Sequence, residues 1–162
     1  MIPPRHPAAS RMLPMSAGSA QAAAIDEARR IYATAPYIQN LGAQVVEAGP
    51  GRLVAEFPLA PHLTQHHGLL HAGAAATLAD HTAGAAATTL LQPGQAVLTV
   101  EFKINVLRPG RAPRYRCESE VLKPGRRISV VESSVWGVFD DGRRELQSKA
   151  TVTLAVVDAE GI

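Results

Sequence analysis

The amino-acid sequence predicts an α+β domain in which one long, buried helix is wrapped by a curved antiparallel sheet of five to six strands. Two observations carry that expectation. The run LLHAGAAATLADHTAGAAATTLL, residues 69–91, is small or apolar on nearly every helical face, which is how a helix reads when other elements enclose it almost entirely. After it, strand-like segments at about 96–107, 114–123, 127–139 and 144–157 are separated by Pro109-Gly110, Pro124-Gly125 and Asp140-Asp141-Gly142. Turns that short join antiparallel neighbours, and strands that long cover one helix by curling around it.

The earlier elements follow from the same rules. Residues 1–20 hold two adjacent prolines and no continuous apolar stretch, so they predict a disordered lead-in and not a secretory signal. Residues 21–35 are rich in good helix formers, with Ile25, Ala28 and Ile31/Tyr32 at helical spacing, and Pro36 ends that helix. Segments 41–47 and 52–59 flank Gly49-Pro50-Gly51 and predict a hairpin. In segment 96–107, Leu98, Val100, Phe102, Ile104 and Val106 alternate with Thr99, Glu101, Lys103 and Asn105, which predicts one core face and one polar face. With no repeat or linker, residues 21–162 form a single domain whose core lies in 37–157.

A chain of 162 residues is one domain of common size. Its 19% charged and 46% hydrophobic residues are globular values, and no apolar stretch is long enough to span a membrane. The net charge of +2 comes from dispersed Lys and Arg, a distribution that argues against nucleic acid and leaves room for a small anionic ligand. Cys117 is the only cysteine, so there is no intrachain disulfide and no thiolate metal cluster, and a reducing, cytoplasmic location is expected.

Asp80 is the anomaly in this pattern. A carboxylate midway along a buried Ala-rich helix is costly unless it is paired or faces a cavity. Gly73, Thr77, Asp80, Gly84 and Ala87 fall on one helical stripe, so the carboxylate projects from a face kept almost free of bulk. From the residues alone, a structural Asp bonded to Thr77 or a neighbouring strand and a reactive Asp facing a ligand both remain open. Upstream, the segment Gln65 to Gly73 leads into the helix N-terminus, where unpaired N–H groups and the helix dipole can stabilise an oxyanion. Ala72 and Gly73 leave those amides approachable and Gln65 could add a side-chain donor; equally, Gln65 and His71 could only satisfy loop and cap hydrogen bonds.

The segment HHGLLHAGAAATLAD resembles the H-G-G…L-x-D signature of the PaaI-like hot-dog thioesterases, and the likeness extends through LTVEFKINVLRPG and EVLKPGRRISVVESSV. That resemblance implies the hot-dog fold and hydrolysis of acyl-CoA thioesters to free acid and CoA. It implies that Asp80 is the catalytic carboxylate, as general base or nucleophile, and that the Ala72 N–H is the oxyanion donor beside Gly73 and His71. Gln65 would orient the thioester carbonyl or the attacking water, and Thr99 would help hold that water. Such sites are shared across a dimer, with Asp80 of one copy facing Gln65 and Ala72 of the other. The chain has His-Ala-Gly where His-Gly-Gly is usual, which narrows the pocket without removing a main-chain donor.

By the same resemblance, Arg108 and the turn holding Lys123, Gly125, Arg126 and Arg127 would hold the pantetheine and nucleotide of CoA, Gly125 by allowing close approach. Ordinary solvated basic turns would look the same. No cofactor is implied beyond the CoA of the substrate. His62, His66, His67 and His71 do not read as a metal site, because Pro61 and Gly68 interrupt them and no carboxylate or Cys stands at ligand spacing. Cys117 reads as a small core residue, and Trp136 as core or dimer interface. Long edge strands predict at least a homodimer, and a homotetramer is expected. Two other functions fit the pattern: an enoyl-thioester hydratase or dehydratase using His71 with Asp80, and a non-catalytic acyl-thioester binding protein.

Overall fold

The computed structural model describes residues 17–162. The chain runs α1 (Ala17–Thr34), α2 (Pro36–Leu41), β1 (Gln44–Gly49), β2 (Arg52–Pro58), α3 (Ala72–Thr88), β3 (Gln95–Val106), β4 (Arg114–Lys123), β5 (Ile128–Val138) and β6 (Arg144–Asp158), with single 3-10 turns at Pro61–Leu63 and Ala159–Gly161. The strands form one antiparallel sheet in the order β1-β2-β4-β5-β6-β3. α3 lies across the inner face of that sheet, and α1 packs on α3, which is the hot-dog arrangement. The expected lead-in falls mostly outside the described residues, but its last four, 17–20, are the first turn of α1. Gln21 secures that end by donating from Nε2 to the Thr89 carbonyl at 2.6 Å.

Pro36 does more than end a helix. Its fixed φ and missing N–H suit the first position of a new one, so α2 begins there and closes at Gly42, whose φ of 70° is left-handed. The first strand therefore starts at Gln44 and not at residue 41. α1 buries Ala28 and Tyr32 against α3, with the Tyr32 hydroxyl 3.1 Å from Thr82 Oγ1. The core is completed by Leu53, Phe57, Leu78, Tyr115, Val131, Val135, Val152 and Leu154, with Cys117 fully buried among them.

Three further expectations need correction. First, α3 is not enclosed almost entirely: Ala76, Thr77, Asp80, His81 and Gly84 are only half-buried. The sheet covers one side of the helix and α1 another, and the stripe between them stays open. Second, the even alternation expected in β3 is broken by a bulge at Val100, between Thr99 and Glu101. Thr99 is paired with Leu154 and Phe102 with Val152, both of them core-facing, and cross-strand partners share a face. The bulge thus turns Thr99 toward α3 with Phe102 and Ile104, and sends Leu98 to the outer face with Glu101 and Lys103. Neither face becomes core: Leu98, Val100, Phe102 and Val106 are 46%, 61%, 43% and 49% exposed. Trp136 is also not core; it is half-buried on the outer face, where the Arg144 guanidinium lies 4.8 Å above its ring.

Candidate active site

Thr99 Oγ1 donates to Asp80 Oδ1 at 2.8 Å. Two elements produce this contact: the mid-helix position puts Asp80 on the open stripe of α3, and the bulge aims Thr99 at it. Asp80 then borders two cavities. One, of about 460 Å³, is lined by Ile31 of α1, Gly84 and Ala85 of α3 and Val97 of β3. The other, of about 430 Å³, is lined by Tyr37 and Ile38 of α2, Gly73 and Ala76 of α3 and Phe102 of β3. A Cβ added at Gly84 would meet nothing within 4 Å, so Gly84 leaves open space on this stripe.

His81, which the sequence reading passed over, borders both cavities. Its Nε2 is buried without a hydrogen-bond partner among the described residues, and its ring meets Tyr32 edge-on at 4.8 Å. Burial pushes its pKa below the ordinary imidazole value, and the Asp80 carboxylate partly opposes that shift. The α1 wall of Glu27, Arg30 and Ile31 was also missed. A histidine beside Asp80 inside an alanine run was the available signal for the first; nothing local signals the second.

At the other end of α3, His71 is the N-cap. Its Nδ1 accepts from the Gly73 N–H at 2.9 Å, and its carbonyl accepts from Ala74 and Ala75. The Gly73 N–H is therefore occupied, while the Ala72 N–H, the expected oxyanion donor, has no acceptor among the described residues and Ala72 is exposed. Gln65 sits in a tight loop in which its N–H bonds the Leu69 carbonyl, and its side-chain oxygen accepts from the His67 N–H. Within one chain these groups do not reach Asp80. Eight residues of helix separate Ala72 from Asp80, about 12 Å along the axis, and neither Ala72 nor Gln65 lines either cavity.

The basic residues also divide. Lys123, Arg126 and Arg127 are exposed around the β4–β5 turn, which is tied to β6 by the Val156 N–H donating to the Arg127 carbonyl. Arg108 lies at the opposite end, where its N–H bonds the Gln147 carbonyl and its Nη1 donates to the Leu146 carbonyl at 2.9 Å. Nine residues of β6 between Gln147 and Val156 span roughly 30 Å, so one chain does not bring Arg108 to the turn. Gly125 has a local reason to be glycine, because a Cβ there would collide with the Ile128 carbonyl; the expected role in ligand approach is not needed to explain it. Among the described residues no group of three His, Cys, Asp or Glu could hold a metal ion, and no helix is long and apolar enough to cross a membrane.

Residues 67–138 match the model of the thioesterase superfamily. A solved structure of a thioesterase family protein from Silicibacter pomeroyi is 36% identical with a TM-score of 0.79, covering 85% of this chain and 98% of that one. The proofreading thioesterase EntH of Klebsiella pneumoniae is 32% identical over 66% of this chain and 77% of its own length. The 1,4-dihydroxy-2-naphthoyl-CoA hydrolase of Listeria monocytogenes is 25% identical over 60% of this chain and 79% of its own. These likenesses support thioester hydrolysis as the reaction class and span the helix, its N-terminal loop and the sheet: the chain belongs to the thioesterase superfamily.

Proposed function

We propose that the protein hydrolyses acyl-CoA thioesters to the free acid and CoA, with Asp80 acting on the thioester and no cofactor beyond the CoA of the substrate. The observation that carries this reading is the Thr99–Asp80 hydrogen bond at the border of two cavities. Thr99 engages Oδ1, which leaves Oδ2 directed to chemistry. As general base, Oδ2 takes a proton from water as the water oxygen attacks the carbonyl carbon. The Ala72 N–H of a second copy receives the developing oxyanion, and the proton passes to the departing CoA thiolate. As nucleophile, Oδ2 attacks the carbonyl carbon and expels the CoA thiolate, which takes up a proton from solvent; water then hydrolyses the resulting anhydride, releasing the acid and restoring the Asp80 carboxylate.

The two halves of this site come from two copies of the chain. β3 is an edge strand with apolar residues open to solvent, and such an edge invites a symmetric partner. In an antiparallel pairing of two β3 edges, the α3 N-terminus of one copy lies toward Asp80 of the other. The same pairing carries Arg108 of one copy toward the 123–127 turn of the other, collecting positive charge for the CoA phosphates. The acyl group occupies the cavity behind Gly84. The homodimer, its further pairing into a tetramer and a cytoplasmic location belong to this reading, and the CoA carrier draws support from the relative named as a CoA hydrolase. A hydratase pairing His71 with Asp80 is disfavoured, since His71 is committed to the helix cap.

The test is thiol release from short, medium, long and aromatic acyl-CoAs by the wild-type protein and by Asp80→Asn. The Asn keeps size and most hydrogen bonding but can neither accept a proton nor attack, so kcat falls by at least about 100-fold in a protein that still folds and binds substrate. Near wild-type turnover in the variant makes Asp80 structural. No thiol release by the wild type leaves only an acyl-thioester binding protein.

A further inference from the structure

The chemistry above uses none of the polar groups buried between α3 and the sheet. Three of them form a line: Cys117 Sγ is 3.6 Å from Ser119 Oγ, Ser119 Oγ is 2.7 Å from Ser133 Oγ, and Ser133 Oγ donates to the Ala79 carbonyl at 2.9 Å. All three side chains are at most 1% exposed. Proton counting fixes the direction of the chain. A carbonyl only accepts, so the single proton of Ser133 goes to Ala79; Ser133 must then accept from Ser119, which in turn accepts from the thiol. Burial pushes the Cys117 thiol up to about 11, so it keeps its proton. Each link polarises the next in a buried, low-dielectric interior, which strengthens the last bond.

That last bond lands on the peptide leading into Asp80. A regular helix already satisfies this carbonyl through the N–H four residues on, so the Ser133 bond is an addition that ties the helix to the sheet. α3 needs such a tie. Its buried face is mostly alanine, Ala75, Ala79, Ala83 and Ala86, and small side chains offer few dispersion contacts to resist sliding. The same turn is also held by α1, where Thr82 Oγ1 meets the Tyr32 hydroxyl. Asp80 lies between the two ties.

We propose that Ser133, backed by Ser119, is a positioning residue that holds the α3 turn bearing Asp80 in register with Thr99. The inference rests on Asp80 acting on the thioester. A displacement of about 1 Å at a reacting group can cost about 100-fold in rate, so partial release of the helix should reduce kcat more than KM.

The test compares Ser133→Ala, Ser133→Thr, Asp80→Asn and the Ser133→Ala/Asp80→Asn double variant by thiol release. Ser133→Ala should lower kcat about 10-fold with KM within about 2-fold, and Ser133→Thr, which keeps the hydroxyl, should restore most of the loss. With Asp80 already replaced, removing Ser133 should change kcat by less than about 2-fold, because its effect passes through the missing carboxylate. An unchanged kcat in Ser133→Ala overturns the proposal whatever its melting temperature, as does an equal fold-loss in both backgrounds. If Ser133→Ala does not fold, Ser119→Ala leaves the Ala79 bond in place and removes only its support. A kcat loss of about 3-fold is then expected, and no loss overturns the proposal. Wild-type turnover in Asp80→Asn overturns the hydrolytic role of Asp80 first and takes the positioning claim with it, a result distinct from the other two.

Discussion

β5, inside the sheet, alternates buried Val131, Ser133 and Val135 with half-buried Glu132, Ser134 and Trp136, whereas β3, at the edge, alternates as regularly in sequence yet leaves both of its faces largely open. The difference lies in what stands beside each strand. β5 has a hydrogen-bonded neighbour on both sides; β3, though α3 also touches it, has β6 on one side and, among the described residues, no strand on the other. Alternation in a sequence therefore reports that a face is to be covered, and is silent on whether the same chain covers it. In β3 the bulge adds a second effect, since it exchanges the faces on its two sides and gives Thr99 to the helix.

The largest effect that can break this comparison comes from placing charge on the two strands. Val135→Asp buries an unpaired carboxylate in the core and should prevent folding. Val100→Asp/Val106→Asp removes no buried contact of the chain, so circular dichroism should show a folded protein. Light scattering should report a monomer, and thiol release should drop by about 100-fold or more if, as proposed, the Ala72 N–H of one copy serves Asp80 of the other. A folded monomer with full activity would mean that one chain holds a complete site.

Next in size is a comparison within α3 between adjacent residues on opposite faces. Ala83 is fully buried against the core, while Gly84 faces the cavity of about 460 Å³. Ala83→Leu should cost about 1–3 kcal/mol by overpacking, read as a lower urea midpoint. Gly84→Leu should leave that midpoint nearly unchanged and fill the acyl space. The ratio of kcat/KM for short over long acyl-CoAs should then rise by about 10-fold or more, the scale on which a pocket discriminates methylenes. An unchanged ratio would move the acyl group out of this cavity.

The sequence made most of the fold legible because strong punctuation marks it. Prolines and glycines place the hairpins, and the alanine run around Asp80 marks the central helix, although it overstates how far that helix is enclosed. Asp80 and Thr99 were legible as separate residues, and the structure brings them together. Their contact was not legible, because a bulge leaves no mark in a run as regular as Leu98-Thr99-Val100-Glu101-Phe102. The second helix at Pro36 was hidden because proline opens helices as readily as it ends them. The separation of Arg108 from the 123–127 turn was hidden for a different reason: both are hairpin-like tips in sequence, and only strand order assigns them to opposite ends of the sheet.

The smallest expected effect concerns His81, whose surroundings fall between the closed interior around β5 and the open edge at β3. Its ring is half-buried between Tyr32 and the two cavities, its Nε2 has no partner among the described residues, and its pKa is lowered by burial despite the nearby Asp80. The unfolded chain binds this proton near 6.5 and the folded chain only at lower pH. Between those values the unfolded state carries more protons, so stability is fully present above about pH 6.5 and is lost as pH falls below it. Carboxylates held low by arginines, Glu47 by Arg52 and Arg116 and Glu27 by Arg30, lose stabilisation only as pH falls below their ordinary value of 4.5, a separate window. Melting temperature should therefore fall between pH 7 and pH 5 in the wild type, and His81→Gln should flatten that slope while keeping a polar group of similar reach. If the slope is unchanged in His81→Gln, the ring is hydrated in solution and the stripe beside Asp80 is wetter than its burial implies. If the slope vanishes, the covered side of α3 extends to His81, and the opening to substrate narrows to the residues from Gly73 to Asp80 and Gly84.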